Sequence, residues 1–374
     1  MNLPPFKLER YFAQYEFKIE HLLSPSDCEP LRLDELLALA DPESRELWEN
    51  LRLAYTESQG LPLLREEISH QFARIPPEKV LAAAPEELIY IAMQVLLRPG
   101  DRVAAVFPAY QSLYELAGSL GCRVEPWRFR AGENGWELAL EELEAMARDG
   151  LRMIVINFPH NPTGCLPSRQ TLERIVAVAE RCGAYLFSDE MYRLLELDPA
   201  TRLPPVCDLY SKGISLSGLS KSFALPGLRL GWLAAQEQEF IERCLAFKDY
   251  TTICSSAPSE VLGLMALRAA GTILERNLQL IRCNLQECEQ FFAAHPAQFR
   301  WLPPQAGSIA FPRWLGPGSV EEFSRQLIDR QGVMIVPGEI FDFPGHFRVG
   351  LGRRDLPAGL QRVAAFLAQA AAAD

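Results

Sequence analysis

The sequence predicts an α/β protein in which a mostly parallel sheet is sandwiched by helices, with a smaller α+β domain attached. Three observations predict this fold. The chain has 374 residues, which is more than one ordinary core holds. From about residue 50 to 280, short apolar runs alternate with helical patterns, and after about residue 285 this alternation stops. Strands that are apolar throughout are buried on both faces, which indicates a parallel sheet covered by helices.

Apolar, β-rich runs predict the strands of the large sheet. They are the segments 102–108, 152–159, 184–190, 213–218 and 228–235. Ligands of open α/β sheets bind at the carboxyl ends of the strands. Polar residues follow three of these runs, at 157–164, 189–192 and 220–221. We therefore expect the functional site at that edge of the sheet.

Helical patterns separate these strands. The segment 168–183 begins with Ser168, a residue favoured as an N-cap, and ends with Gly183, which is typical of a helix C-terminus. The acid-rich run 137–146 is predicted as a helix with a solvated face.

The last part of the chain has an α+β pattern. Helical segments at 285–295 and 319–332 are mixed with short extended ones at 307–314, 333–338 and 346–352. We therefore predict a large domain over 46–280 and a small domain formed by 1–45 and 281–374.

Composition excludes several classes of protein. The formal net charge of -11 argues against a nucleic-acid partner or an anionic membrane surface. No apolar run approaches the roughly 20 residues that span a bilayer, and the first residues do not form a signal sequence. The nine cysteines include no CxxC pair, so we expect no metal site and reduced thiols in a cytoplasmic protein.

Four motifs occur in order along the chain. They are NFPHNPTG (157–164), SDEMY (188–192), SKSFALPGLRLGW (220–232) and FRVGLG (347–352). Together they resemble the class I/II aminotransferases, the fold-type I group of pyridoxal-phosphate (PLP) enzymes. The resemblance runs from about Tyr55 to Gly352, which is most of the chain. It implies the fold-type I transferase fold, with pyridoxal 5′-phosphate as the cofactor.

Lys221 is the first candidate catalytic residue. It lies among small and apolar residues, where desolvation and nearby cations lower the pKa of an amine and make it nucleophilic. It resembles the family lysine that binds the PLP aldehyde covalently and moves the proton of the substrate Cα. The alternative is an ordinary surface lysine without a catalytic role.

Asp189, Tyr192 and Asn161 are expected around the cofactor ring. Asp189 resembles the aspartate that binds the pyridine nitrogen and keeps it protonated, although an aspartate there could also be a helix N-cap. By the same resemblance, Tyr192 and Asn161 would donate hydrogen bonds to the 3′ oxygen of the ring. The resemblance also implies that the Asn161–Pro162 peptide is cis.

The resemblance places the cofactor phosphate at two segments. Arg229 would pair with the phosphate, since a planar fork of donors suits a dianion, unless it only caps a strand. Ser220 occupies the hydroxyl position of the family, and Ser217 is a weaker candidate.

The helix N-terminus within 83–90 would supply further phosphate donors. Ala84 stands where glycine is common in the family, and Pro85 has no N–H to donate. Proline suits a first helical turn, so the amides of Glu86 and Glu87 are better donors than Pro85.

The remaining candidates bind the ring, the substrate and the partner subunit. Tyr110 would stack on the pyridine ring, unless it is ordinary core like the nearby Tyr114. Arg348 would grip the substrate α-carboxylate, with Asn161 beside it, whereas Arg353 and Arg354 are expected to be solvated. Tyr55 would reach the phosphate of the second subunit in a homodimer with shared active sites, unless its segment is only a local turn.

The activity implied is transfer of an amino group from an amino acid to a 2-oxo acid. The same fold also supports lyases, cyclising synthases and oxidative deaminases. Two other classes are a regulator that senses a ligand and a binding protein without catalysis. Segments 24–31 and 247–260 are expected to supply the side-chain pocket, and their acids Asp27, Glu29 and Asp249 permit a basic substrate.

Overall fold

The computed structural model describes residues 3–133 and 135–371. Within these residues the strands are β1 (His21–Leu22), β2 (Val80–Ala83), β3 (Arg102–Phe107), β4 (Arg123–Ala131), β5 (Trp136–Leu138), β6 (Met153–Asn157), β7 (Tyr185–Asp189), β8 (Gly213–Gly218), β9 (Gly231–Ala235), β10 (Phe299–Arg300), β11 (Ile309–Ala310), β12 (Arg313–Trp314), β13 (Val333–Met334), β14 (Val336–Pro337) and β15 (Phe347–Gly350).

The helices surround and connect these strands. They are α1 (Lys7–Tyr15), α2 (Leu33–Ala38), α3 (Pro42–Glu49), α4 (Pro62–Ser69), α5 (Pro85–Leu96), α6 (Ser112–Ser119), α7 (Leu140–Arg148), α8 (Arg169–Cys182), α9 (Val206–Leu209), α10 (Gln238–Lys248), α11 (Ala257–Arg268), α12 (Ala270–Ala294), α13 (Val320–Gln331) and α14 (Leu356–Ala371). Short 3₁₀ turns lie at Pro77–Lys79, Pro199–Thr201, Pro226–Leu228 and Gly338–Phe341.

The large sheet has eight strands in the order β2-β9-β8-β7-β6-β3-β4-β5. The pairs β4–β3, β3–β6, β6–β7 and β7–β8 are parallel. Strand β9 runs antiparallel to both β8 and β2, and β5 runs antiparallel to β4. The mostly parallel sheet and its five predicted strands are confirmed, as β3, β6, β7, β8 and β9.

Both faces of this sheet are buried. Along β6, Met153 and Val155 pack into one apolar cluster, whereas Ile154 and Ile156 pack into the cluster on the other face. Successive side chains of a strand point to opposite faces, so an apolar strand of this kind needs helices on both sides. Helix α5 covers the first face and helix α8 covers the second.

The local helix signals are confirmed at α8. The Ser168 hydroxyl accepts a hydrogen bond from the Thr171 amide at 3.1 Å, and Gly183 ends the helix with a φ of 69°. The prediction of one helix over 137–146 is wrong at its start. Residues 137–138 belong to β5, because Leu138 pairs with Phe129 of β4 in an antiparallel ladder.

The second part of the chain is built on a three-stranded sheet in the order β11-β15-β14. Strand β1 pairs in parallel with β13, so the N-terminal segment around His21–Leu22 packs with the C-terminal part of the chain. Helices α2 and α3 instead pack into the apolar cluster that contains Leu64 and Trp232 of the large part. This packing favours a boundary near residue 30 rather than residue 45. The other predicted boundary, at residue 280, falls inside the continuous helix α12, and the division into domains stays a prediction.

Among the described residues, none of the helices combines the length and the apolar character that crossing a bilayer requires.

Candidate active site

A cavity of about 610 Å³ opens between the carboxyl ends of the parallel strands and the second part of the chain. This volume is within the roughly 300–1,000 Å³ of typical ligand sites. The structure brings most of the predicted site residues to its wall: Pro85, Glu86, Tyr110, Asn161, Asp189, Tyr192, Ser220, Lys221, Arg229 and Arg348.

Lys221 follows β8 and faces the cavity. Its amine donates a hydrogen bond to the Ser26 hydroxyl, with Nζ and Oγ 2.8 Å apart. Burial lowers the pKa of Lys221, and the positive charge of Arg348 acts in the same direction, while the carboxylates of Asp27 and Asp189 oppose the shift. A larger fraction of the amine is therefore neutral near neutral pH than for a solvated lysine.

Asp189 ends β7 and is only 6% exposed. Its Oδ1 accepts a hydrogen bond from the Met191 amide at 3.0 Å. Burial raises the pKa of Asp189 to about 7, although the Met191 amide and the Lys221 charge lower it. An isolated carboxylate is costly to bury, so the site favours a positive group opposite Asp189.

Asn157 connects two of the predicted residues. It pairs with Asp189 across β6 and β7, and its side-chain amide donates to the Asp189 carbonyl at 2.8 Å. Its Oδ1 accepts a hydrogen bond from the backbone N–H of Asn161 at 2.7 Å. The Asn161–Pro162 peptide is cis, as predicted.

Arg348 lies on β15 and is 1% exposed. Its Nε and Nη2 donate to the Ser24 carbonyl at 3.2 and 3.1 Å, and its Nη1 donates to Asn161 Oδ1 at 3.3 Å. The guanidinium also lies 5.8 Å from the centre of the Phe12 ring. Burial lowers the pKa of Arg348, and an anionic ligand would offset the cost of burying its charge.

Tyr192 presents a buried hydroxyl to the cavity. This hydroxyl lies near Ser26, yet it has no hydrogen bond of normal geometry within residues 3–133 and 135–371. Burial raises the pKa of Tyr192 above the ordinary tyrosine value, so the hydroxyl is protonated and able to donate.

The N-terminus of α5 forms a second corner of the cavity. Ala84 is the N-cap and Pro85 is the first helical residue. The Leu88 amide donates to the Ala84 carbonyl at 3.0 Å, which leaves the amides of Glu86 and Glu87 outside the helical ladder. Ala84 does not line the cavity, whereas Pro85 and Glu86 do.

Close packing of β8 and β9 sets the position of this corner. A Cβ on Gly218 would lie 3.2 Å from Pro85 Cγ, and a Cβ on Gly231 would lie 2.7 Å from the same atom. Glycine at both places lets the start of α5 sit directly on the strand ends. Arg229, between these strands, has a φ of 51° and donates from Nη1 to the Pro226 carbonyl at 3.0 Å.

The two candidate serines are placed differently. Ser220 is buried and lines the cavity. Ser217 does not line it, and its hydroxyl instead donates to the Glu190 carbonyl at 3.5 Å.

The two tyrosines after β3 also differ. Tyr110 lines the cavity and contacts the Phe6 ring at 5.1 Å between ring centres. Burial and the neighbouring Glu86 carboxylate raise the pKa of Tyr110 well above its ordinary value. Tyr114 packs in the core and donates to Asp342 at 3.2 Å.

Tyr55 is not brought to the cavity of its own chain. It is 87% exposed, as is Leu53. Its segment is nevertheless held in place, because Ser58 donates to the Ile253 carbonyl at 2.5 Å and Lys248 donates to the Ser58 carbonyl at 2.6 Å.

The structure adds residues that the sequence did not single out. Ser26 contacts Lys221, Asn157 joins Asp189 to Asn161, and helix α1 brings Glu9, Phe12 and Glu16 to the cavity. Of the acids expected in the side-chain pocket, Asp27 lines the cavity, whereas Glu29 and Asp249 do not. Segment 24–31 is expected at the pocket from the sequence, whereas helix α1 carries no local motif for this role and is identified only by its long-range packing.

Comparisons with known proteins agree with this geometry. The family model described as "Aminotransferase class I and II" matches residues 34–358. A curated relative, the capreomycidine synthase of Streptomyces vinaceus, is 32% identical over 96% of this chain and 93% of its own length.

Solved structures give the same result. A PLP-dependent aminotransferase from Streptococcus suis superposes with a TM-score of 0.92 at 32% identity, covering 99% of each chain. The PLP-dependent cyclase OrfR superposes with a TM-score of 0.91 at 29% identity, covering 99% of this chain and 98% of its own.

Proposed function

The chain belongs to the class I and II aminotransferases, a family of PLP-dependent enzymes, and on this premise we propose that it transfers an amino group from an amino acid to a 2-oxo acid. One observation carries the proposal: a single cavity joins the amine of Lys221, the buried carboxylate of Asp189 and the buried guanidinium of Arg348. These are the groups that a proton transfer at the Cα of an amino acid requires.

The cavity offers protein groups that could bind the ring nitrogen, the ring oxygen and the phosphate of PLP. Asp189 is a buried carboxylate that favours a cationic ring nitrogen, and the unpaired Tyr192 hydroxyl offers a donor to a ring oxygen. The free amides of Glu86 and Glu87, with Ser220 and Arg229, offer donors and positive charge to a phosphate. The residues present therefore fit the cofactor.

When bound, PLP supplies an electron-withdrawing ring that stabilises negative charge at the substrate Cα. Lys221 holds and moves the proton at that carbon, because its amine is partly neutral and faces the cavity. Ser26 accepts a hydrogen bond from the Lys221 amine and orients it. Asp189 stabilises the positive charge on the ring that this chemistry uses.

Arg348 orients the substrate. Its guanidinium is the buried cation of the cavity wall that the Ser24 carbonyl and Asn161 hold in place. A planar guanidinium binds a carboxylate through two parallel hydrogen bonds. With the α-carboxylate fixed there, the Cα–H bond is presented to Lys221, which is a gain from positioning.

We further propose that the enzyme is a homodimer in which Tyr55 completes the site of the partner subunit. Tyr55 is exposed on its own chain but lies on a segment tied to residues 248–255. A two-fold axis would present both tyrosines symmetrically, and covering Tyr55 and Leu53 would remove exposed apolar surface.

A cyclising reaction is the second candidate. The similarity to a capreomycidine synthase extends over 96% of this chain, and the cyclase OrfR superposes with a TM-score of 0.91. Such a reaction would use the same proton transfer by Lys221 but would release an amino acid rather than a 2-oxo acid.

The test is a panel of amino acids offered to the PLP-loaded enzyme with pyruvate or 2-oxoglutarate as acceptor. Mass spectrometry should find the 2-oxo acid of the donor together with alanine or glutamate. A product that keeps its α-amino group and forms without any acceptor would replace transamination by cyclisation. Absence of any reaction across the panel would overturn the proposal.

A further inference from the structure

The cavity wall contributed by helix α1 carries negative charge that the proposed chemistry leaves unused. Glu9, Phe12 and Glu16 are spaced so that they share one face of the helical segment, and all of them line the cavity. Helix α1 is held over the cavity by Tyr11, whose hydroxyl donates to the Ile335 carbonyl at 2.8 Å. The Lys7 amine also pairs with Asp342 at 2.6 Å.

The other charged groups of the cavity have either a hydrogen-bond partner in the described residues or a proposed ligand. Arg353 donates to both carboxylate oxygens of Asp27, at 3.0 and 2.9 Å, so each neutralises the other. Glu86 accepts from the Ser112 hydroxyl. Lys221, Asp189, Arg229 and Arg348 are assigned above to the proton, the ring, the phosphate and the α-carboxylate.

Glu9 and Glu16 have no such counterpart. Within the part of the chain that the structure describes, neither carboxylate forms an ion pair or a side-chain hydrogen bond. Glu9 is exposed and Glu16 is half-buried, so they form the rim of the cavity. Burial raises the pKa of Glu16, and the negative charges of Asp27 and Glu9 act in the same direction, whereas the charges of Arg353 and Lys221 oppose the shift without forming an ion pair with Glu16.

A second observation concerns the groups that share the cavity with these two carboxylates. The Glu9 and Glu16 carboxylates line the same cavity as the buried, unpaired Tyr192 hydroxyl and the buried Arg348 guanidinium. A substrate whose α-carboxylate lies on Arg348 extends its side chain away from that arginine. Phe6, Leu8 and Phe12 give this part of the wall an apolar surface suited to a methylene chain.

Resting on the proposed function, we infer that the substrate is an amino acid with a long side chain that ends in a cation, and that Glu9 and Glu16 select it. An aliphatic stem would lie against α1, and the cationic end would reach the two carboxylates. Two carboxylates on one helical face suit a guanidinium, which carries five donors in one plane. An acidic side chain would instead meet two like charges.

The test compares L-arginine with L-citrulline, its neutral counterpart of nearly the same shape. The probe is the PLP-loaded protein, and apparent dissociation constants are read from the change in cofactor absorption on titration. Arginine should bind at least about tenfold more tightly than citrulline, the size of one charge-assisted hydrogen bond. L-Lysine, with an ammonium end, distinguishes a need for charge from a need for the planar fork.

The variants assign this preference to residues. The Glu9→Gln/Glu16→Gln double variant should bind arginine and citrulline within about threefold of each other, with citrulline affinity unchanged. Glu20→Gln removes an exposed acid outside the cavity and should keep the full preference. All variants should bind PLP as the parent protein does, which checks their folding.

The two proposals fail in different ways. If citrulline or L-glutamate binds as tightly as arginine, or if the double variant keeps the preference, the selectivity is overturned while transamination stands. If no amino acid of any charge alters the cofactor absorption, both the proposed function and the proposed selectivity are overturned.

Discussion

Arg348 and Asn161 meet directly, with Nη1 of the arginine 3.3 Å from Oδ1 of the asparagine. The contact joins residues 187 positions apart. The backbone N–H of Asn161 in turn donates a hydrogen bond to Asn157 Oδ1, and the side-chain amide of Asn157 donates to the Asp189 carbonyl. One chain of hydrogen bonds therefore runs from the residue proposed to bind the substrate carboxylate to the strand end that carries the residue proposed to bind the cofactor ring.

Replacing Arg348 by alanine should weaken amino-acid binding by roughly tenfold to a hundredfold, because a charge-assisted pair is lost. PLP affinity should change much less, since the proposed partner of Arg348 is the substrate carboxylate. Absorption titrations with the cofactor and with an amino acid measure the two constants separately. Arg354→Ala, which removes an exposed arginine nearby, is the matched control. Equal losses of both affinities would contradict the assigned role.

Reduction of the PLP-loaded protein with borohydride should fix the cofactor to Lys221, and Lys221→Ala should remove the near-visible absorption. Lys248 provides an internal control, because burial lowers its pKa as well, yet it does not line the cavity. Peptide mapping should find the label on the peptide containing Lys221 and not on that containing Lys248. A Lys221→Ala protein that still gives the same reducible adduct would exclude this lysine as the attachment site.

Asp189 should make the stability of the cofactor-free protein depend on pH. Its pKa is raised to about 7 in the folded chain, so between about pH 4 and 7 the folded protein binds a proton that the unfolded chain has released. Stability should therefore fall as pH rises through this window, by up to about 4 kcal/mol for a shift of this size. Denaturant titrations at several pH values measure the free energy of unfolding.

The Asp189→Asn variant isolates this contribution. The free energy of unfolding of this variant should not fall between pH 4 and pH 7. Any excess in the free energy of unfolding of the parent protein over that of the variant should therefore shrink or reverse as the pH rises from 4 to 7. Asp198→Asn, at an exposed 3₁₀ turn, should leave the decline in place. A parent protein and an Asp189→Asn variant with parallel pH profiles would show that Asp189 is not a buried titrating group.

Mixing two inactive proteins should restore activity if Tyr55 is shared between subunits. In a hybrid dimer of Lys221→Ala and Tyr55→Ala chains, the chain with intact Lys221 would receive Tyr55 from its partner, giving one native site. Activity after mixing and subunit exchange should approach one quarter of that of the parent protein, because half of the dimers are hybrids with one native site each.

The control pair is Lys221→Ala with Arg229→Ala. Both residues line the cavity of one chain. In each hybrid dimer, one site should therefore carry Lys221→Ala and the other Arg229→Ala, and no activity should be recovered. Failure of the Tyr55 pair to recover activity in hybrids confirmed by native mass spectrometry would place Tyr55 outside the shared site. A fully active monomer would have the same consequence.

The sequence by itself determined the mostly parallel sheet, five of its eight strands and most of the predicted residues of the cavity wall. Apolar strands such as Met153–Asn157 and caps such as Ser168 and Gly183 are local signals, and the motifs around Asn161, Asp189 and Lys221 lie directly after those strands. Because parallel strands end at one edge of a sheet, their order in the chain is enough to bring these residues together.

Only the tertiary structure decided which surrounding groups meet them. Ser26 contacts Lys221 across 195 residues, and α1 reaches the cavity because Tyr11 and Lys7 anchor it to residues more than 300 positions away. Of the predicted pocket acids Asp27, Glu29 and Asp249, only Asp27 lines the cavity, and packing adds Glu9 and Glu16. Charge at a site depends on which side chains face one another after long-range packing, and a local pattern does not contain that information.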